Sequence, residues 1–160
     1  MNPAAKLSLA TVPAIVGIGF LMGRLSNSGF GNAWFDQLTK PEAMPPGWAF
    51  GVAWTILYVL LGIALALALA APASPARRTA LGLFILQLVL NYSWSPLFFA
   101  AHQVKLALAV IVAILALSTA TAIALLRVNA TAAWLMLPYL AWLCFATYLN
   151  FEIMRLNPGT

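Results

Sequence analysis

The chain consists of long apolar runs that are separated by single charged residues or short polar turns. Its eight basic and three acidic residues leave five long charge-free stretches, which are 7–23, 43–76, 79–104, 106–126 and 128–151. A helix needs about 20 apolar residues to cross the hydrocarbon core of a bilayer. Prolines at both ends of the second stretch shorten it to one helix. The pattern therefore predicts five membrane-spanning helices, at about 5–24, 48–71, 79–101, 105–126 and 132–154.

Composition agrees with a chain that lies in a bilayer. Hydrophobic residues make up 64% of the sequence and charged residues 7%, whereas a soluble domain has about 45–50% and about 25%. The net charge of +5 comes from basic residues scattered one or two to a loop, so we expect no nucleic-acid partner. We predict an all-α integral membrane bundle that forms a single domain.

Charge does not determine which way the bundle faces. Five spans would place four basic residues on each side of the membrane. Because the two counts are equal, the positive-inside rule does not assign an orientation. The apolar run after Lys6 is followed by Arg24 without a convincing cleavage site. We therefore expect a retained first helix rather than a signal peptide.

The connection between the first two spans, at about 25–46, is the only long one. Because short links suffice to join neighbouring helices, a connection of this length is more often functional than incidental. The first span also carries Gly19 and Gly23 in a GxxxG pattern, which favours close approach either to a neighbouring helix or to a second subunit.

Three spans each carry polar or aromatic residues along one helical face. These stripes are Phe50, Trp54 and Tyr58 in the second span, Gln87, Asn91 and Trp94 in the third, and Trp142, Ala146 and Asn150 in the fifth. The amides could simply form hydrogen bonds between helices, and tryptophans could mark the membrane interface. Trp54 and Trp142 lie further inside their spans, where they could line a pocket for a flat apolar ligand. Both interpretations stay open from the residues alone.

Catalytic and metal-binding patterns are nearly absent from the sequence. His102 stands in a loop without a second histidine, cysteine or carboxylate at ligand spacing, so we expect no metal site. Glu152 precedes Arg155 by three residues and is expected to form an ion pair with it. The single cysteine, Cys144, has no partner for an intramolecular disulfide.

Four longer strings in the sequence resemble one known family. They are Trp34-Phe35-Asp36-Gln37-Leu38-Thr39-Lys40-Pro41, the run from Pro45 to Tyr58, the run from Gln87 to Phe99, and the run from Pro138 to Asn150. In order, spacing and number of spans they are similar to the TspO/MBR family, also called the translocator protein or tryptophan-rich sensory protein family. The resemblance covers nearly the whole chain.

The resemblance implies a five-helix bundle, commonly a homodimer, whose long first loop folds over a ligand cavity. Members of the family bind tetrapyrroles such as protoporphyrin IX or haem, as ligands rather than required cofactors, and isoquinoline and benzodiazepine drugs. Carried over by position, the cavity would be formed by Phe50, Trp54, Asn91, Trp94, Trp142, Ala146, Leu149 and Asn150, with Trp34 and Leu38 on the lid. Animal members bind cholesterol, but Phe151 here replaces the tyrosine of the cholesterol motif, which argues against a sterol partner. Ala43 also replaces a tryptophan found in many members.

Three functions are compatible with these features. The leading hypothesis is a membrane receptor or sensor that binds tetrapyrroles, with or without transporting them, in a bacterial cell envelope membrane. The second is an enzyme that degrades porphyrins in light and oxygen through its cavity tryptophans. The third is a structural membrane protein without a small ligand. Because the sequence has no positioned acid, base, nucleophile or metal, the enzyme is the less favoured hypothesis.

Overall fold

The computed structural model describes residues 2–159, and the described part of the chain is helical without strands. Seven α-helices follow one another: α1 (Pro3–Leu25), α2 (Ala33–Gln37), α3 (Gly47–Ala70), α4 (Pro75–Ser95), α5 (Val104–Leu126), α6 (Ala130–Leu135) and α7 (Leu137–Leu156). A π-helical turn, Pro96–Ala100, extends α4 at its C-terminal end. Within residues 2–159, five segments are long and apolar enough to cross a membrane. The prediction of an all-α bundle with five spans is confirmed.

Polar side chains define where several helices begin. The side chains of Asn2, Ser74 and Asn129 each accept a hydrogen bond from a backbone N–H in the first turn of α1, α4 and α6. These bonds satisfy backbone donors that have no partner within the helix. Pro3 and Pro75 follow two of these caps directly, at a position where the missing N–H of proline is harmless.

The fifth span is two helices rather than the single helix that the sequence predicted. The helices α6 and α7 meet at Met136, two residues before Pro138. Because proline has no N–H and its ring clashes with the carbonyl one turn earlier, a regular helix cannot continue through it. The break lies just before Tyr139 and Trp142 in the chain.

Around the bundle, the spans do not follow their order in the chain. α1 packs mainly against α3, α4 against α5, and α5 also against α6 and α7, while α3 contacts α6. The spatial order is therefore first, second, fifth, fourth and third span. Large side chains that are fully buried, among them Leu61, Phe84, Ile114 and Tyr139, fill the centre.

Two glycines bring α1 and α3 close together. A Cβ at Gly62 would lie 2.6 Å from the Cα of Val12, and one at Gly19 would overlap the ring of Tyr58. The Thr11 hydroxyl also donates to the Gly62 carbonyl over 2.7 Å. Lipid tails solvate apolar side chains as well as a helix does, so such close packing drives association. Gly19 of the GxxxG pattern is therefore used within the chain.

The connection between α1 and α3 is ordered around the short helix α2. Phe35 is buried against Phe98 and Phe99. The ammonium group of Lys40 donates to the carbonyls of Phe35, Asp36 and Leu38 at 2.8, 3.2 and 3.2 Å. These bonds satisfy carbonyls that end α2 without a partner within the helix.

A pair of hydrogen bonds attaches the connection to the end of α7. The Thr39 N–H donates to the side-chain oxygen of Asn157, and the side-chain nitrogen of Asn157 donates to the Thr39 carbonyl, both over 2.9 Å. The connection is thus fixed both at α2 and next to the C-terminal end of the last helix.

Candidate functional site

A cavity of about 550 Å³ lies inside the bundle, next to the connection. Residues of α1, α3, α4, α5, α7 and the connection form its wall. All eight residues that the resemblance assigned to the cavity line it: Phe50, Trp54, Asn91, Trp94, Trp142, Ala146, Leu149 and Asn150. Helices far apart in the sequence thus bring these side chains together around one space.

Aromatic rings from α3 and α7 form one side of the cavity. The Trp142 ring lies edge-on to Phe50, with centroids 5.9 Å apart, and edge-on to Trp54 at 6.3 Å. Trp54 also contacts Tyr58 one turn further along α3, at 5.1 Å. Such edge-to-face contacts hold rings in fixed orientations. They keep the indoles of Trp54 and Trp142 on the cavity wall.

The polar groups at the inner wall are joined by a buried chain of hydrogen bonds. The Tyr58 hydroxyl donates to the Asn91 side-chain oxygen over 2.9 Å, and the Asn91 side-chain nitrogen donates to the Tyr139 hydroxyl over 3.0 Å. Tyr139 in turn donates to the side-chain oxygen of Gln87 over 2.9 Å, as does Ser118 over 3.1 Å. Asn91 therefore both lines the cavity and bonds between helices.

Gln87 shares the predicted stripe with Asn91 but does not line the cavity. Its side chain is fully buried and accepts bonds from α5 and α7. The interpretation of the amides as interhelical bonds is correct for this residue.

A second polar pair lies nearer the connection. The indole N–H of Trp94 donates to the side-chain oxygen of Asn150 over 3.1 Å, and the Asn150 side-chain nitrogen donates to the carbonyl of Val104 over 3.1 Å. These bonds join α4, α5 and α7 at the cavity wall. Since both polar atoms of the Asn150 amide have protein partners, the pair acts as a fixed part of the wall.

The two predicted lid residues lie outside the lining of the cavity. The ring of Trp34 stacks on His102 with centroids 4.1 Å apart, and Leu38 packs with the cluster around Phe35 and Phe98. Successive residues of a helix point about 100° apart, so Trp34 and Phe35 on α2 face different neighbours. The connection contributes Phe30, Phe35 and Met44 instead.

Other lining residues were missed by the sequence argument. Tyr58 lies on the predicted stripe of α3, so the same periodicity could have included it. Phe30 had no such signal, because its position depends on how the connection folds back, and Arg24, near the end of α1, lies on none of the predicted stripes. Among the described residues that line the cavity, Arg24 alone is charged.

The groups around the cavity are suited to few kinds of chemistry. Among residues 2–159, no three histidine, cysteine or acidic side chains are grouped as they would be around a metal ion. The indole N–H of Trp142 is buried and has no hydrogen-bond acceptor in the described chain. The site is an aromatic cavity with a few fixed polar groups, which is an arrangement suited to binding.

Comparison with known proteins agrees with this architecture. The sequence model of the TspO/MBR family matches residues 10–156. The chain belongs to the TspO/MBR family. It is 39% identical to the tryptophan-rich protein TspO of Chlorobaculum tepidum over 126 residues, 78% of this chain and 80% of the relative. It is 36% identical to the human translocator protein over 144 residues, 89% and 85% of the two chains.

TspO/MBR membership and the five apolar spans together make this chain an integral membrane protein. A third relative, the tryptophan-rich sensory protein of Cereibacter sphaeroides, is 40% identical over 124 residues, 78% of this chain and 77% of its own. Because the TspO/MBR relatives include a human protein, a bacterial envelope membrane stays a prediction.

Proposed function

We infer that this TspO/MBR protein is a membrane receptor that binds tetrapyrroles, such as protoporphyrin IX or haem intermediates, in the cavity. The observation that carries the proposal is the single space of about 550 Å³ bounded by Phe50, Trp54, Trp94 and Trp142. Ligand pockets commonly measure about 300–1,000 Å³ and combine apolar walls with a few placed polar groups. The same cavity would accept other flat hydrophobic compounds, including isoquinoline and benzodiazepine drugs.

An arginine in the cavity lining favours a flat ligand that carries carboxylate groups. Arg24 at the edge of the cavity offers a guanidinium group, which pairs well with carboxylates. Carboxylate groups on tetrapyrrole side chains would pair with this guanidinium.

The test is a titration of the detergent-purified protein with protoporphyrin IX, followed by quenching of tryptophan fluorescence. The variants Trp54→Phe and Trp142→Phe keep most of the apolar area but remove the indole. Each aromatic contact with the ligand contributes about 0.5–1.5 kcal/mol to the binding free energy, beyond the contribution of the apolar surface that it buries. We expect the double variant to bind several-fold more weakly and to lose the larger share of the fractional quenching.

The matched controls are Trp48→Phe and Trp134→Phe, because these rings are 72% and 64% exposed and lie outside the cavity lining. Both controls should keep the parent affinity. If the double variant keeps the parent affinity and fractional quenching, the ligand does not bind between α3 and α7. The same titration, run in light and air, separates binding from degradation: a receptor leaves the Soret absorbance intact, whereas an enzyme removes it.

A further inference from the structure

The helices α1 and α3 approach each other closely over the middle and later part of α1, and both contribute to the cavity wall nearer the connection. They are in close contact at Val12 and Gly62 and again at Gly19 and Tyr58. Beyond that contact, towards the connection, residues of both helices line the cavity, including Gly23 on α1 and Gly51 on α3. The cavity therefore borders both helices on the side of the connection.

Several residues in this region both line the cavity and are exposed on the outside of the protein. Phe20 and Phe30 are each 47% exposed, and Gly47 and Gly51 are exposed as well. A Cβ added to Gly51 would meet no atom within 4 Å. Residues that line the cavity and are also exposed on the outside mark the place where the cavity opens to the surroundings of the protein.

We propose that ligands enter the cavity sideways from the bilayer, between α1 and α3, and that the ring of Phe30 is the gate of this opening. Gly47 is the first residue of α3, and the neighbouring Trp48 is 72% exposed. Tryptophan prefers the interface between lipid and water, so the opening lies at that depth. Flat apolar molecules with a carboxylate group collect at the same depth. The proposal takes its ligand class from the proposed function.

Phe30 has few contacts and a permissive backbone. Its ring lies edge-on to Phe35 with centroids 5.5 Å apart, and a Cβ at Gly47 would come within 3.1 Å of the ring. The glycines on either side, Gly29 and Gly31, have φ angles of +96° and +93°, which glycine adopts without strain. The ring can therefore swing away without disturbing the helices.

Lifting of the whole connection would require many more contacts to break. Phe35 would leave its buried position, the three Lys40 bonds would be strained, and the paired bonds between Thr39 and Asn157 would be lost. Movement of one half-exposed ring breaks few contacts. The ring is therefore the element whose motion opens the cavity most readily.

The first test measures stopped-flow rates of protoporphyrin IX binding to protein in phospholipid vesicles. Phe30→Ala should raise the association rate constant about tenfold, because the obstacle at the opening is gone. A residue that only contacts the ligand would change dissociation alone. The matched control is Phe151→Ala, since Phe151 is 45% exposed and does not line the cavity. An unchanged association rate for Phe30→Ala would overturn the gate.

The second test holds the connection in place. A Cβ at Gly47 would lie 3.7 Å from the Cβ of Phe30, within the range of about 3.5–4.5 Å found in disulfides. Phe30→Cys with Gly47→Cys, made with Cys144→Ala, removes the ring and ties the connection to α3 when oxidised. We expect the oxidised and reduced forms to bind ligand as fast as Phe30→Ala. Association at least tenfold slower in the oxidised form would show that the connection must lift, and would overturn the proposal.

A measurement without ligand separates this proposal from the proposed function. If the parent binds no protoporphyrin IX, the proposed function fails, and the opening is then tested with brominated phospholipids that quench tryptophan fluorescence. Phe30→Ala should increase this quenching relative to the parent, and Phe151→Ala should not. Equal quenching in the two variants would contradict a lateral opening gated by Phe30.

Discussion

At the scale of single residues, the shape of the cavity depends on one small side chain on α7. Ala146 lies one helical turn from both Trp142 and Asn150, and all three line the cavity. The Trp142 ring is held by Phe50 and Trp54, and the Asn150 amide by its bonds to α4 and α5. Because neither neighbour is free to move aside, the methyl group of Ala146 keeps space open between them.

Enlarging this residue should weaken binding of large flat ligands. We expect Ala146→Thr to lower the affinity for protoporphyrin IX about 5- to 100-fold, since overpacking costs about 1–3 kcal/mol. The fold should be kept, because the change adds only one methyl and one hydroxyl group. Ala141→Thr is the control on the same helix, where the side chain is exposed and outside the cavity lining. Equal affinity of both variants would show that Ala146 does not contact the ligand.

At the scale of elements, the connection is a short helix joined to neighbours by contacts of different kinds. Asn32 starts α2 by accepting hydrogen bonds from Trp34 and Phe35, and donates to the Phe99 carbonyl over 3.3 Å. Lys40 ends the same helix by donating to its carbonyls. Phe30, Phe35 and Met44 face the cavity, so a bound ligand would contact the connection from inside.

Ligand binding should therefore protect the connection from proteolysis. We expect cleavage by chymotrypsin after Phe30 and Trp34 to slow at least several-fold at saturating protoporphyrin IX, because binding stabilises the ordered conformation. The measurement is the rate of appearance of the fragments on a gel. The ligand-independent reference is the same assay on the double variant Trp54→Phe, Trp142→Phe at equal ligand concentration. Identical cleavage rates with and without saturating ligand would contradict contact between ligand and connection.

At the scale of the whole molecule, a buried hydrogen-bond chain joins four of the five spans. Tyr58 on α3, Asn91 and Gln87 on α4, Ser118 on α5 and Tyr139 on α7 take part. Hydrogen bonds between membrane helices contribute about 0.6–2 kcal/mol each. Tyr139 occupies the middle, since its hydroxyl accepts from Asn91 and donates to Gln87.

Removing that hydroxyl should destabilise the bundle. We expect Tyr139→Phe to lower the free energy of unfolding by about 1–3 kcal/mol, because the Asn91 amide loses its acceptor in a buried place. Unfolding in mixed detergent, followed by circular dichroism, measures the effect. Tyr148→Phe is the matched control, since Tyr148 is 46% exposed. If both variants unfold at the same detergent fraction, the buried hydrogen bonds of Tyr139 do not stabilise the folded bundle.

The sequence by itself determined the elements and much of the cavity wall. Charge spacing predicted the five spans, because a charged side chain is costly inside a bilayer and so lies near the ends of a helix. Periodicity placed Phe50 with Trp54 and Trp142 with Ala146 on shared faces, because contacts within a helix repeat with its turn. Such short-range geometry depends only on residues that are neighbours in the chain.

Tertiary structure alone decided which faces meet and how the connection folds. Gln87 and Asn91 share a stripe, yet only Asn91 lines the cavity, while Gln87 is buried among hydrogen-bond donors of α5 and α7. Trp34 points to His102 while Phe35 and Phe30 face inward. The close approach of α1 to α3 at Gly19 also depends on the ring of Tyr58, which lies on a different helix. These outcomes depend on contacts between residues distant in sequence, which no local pattern encodes.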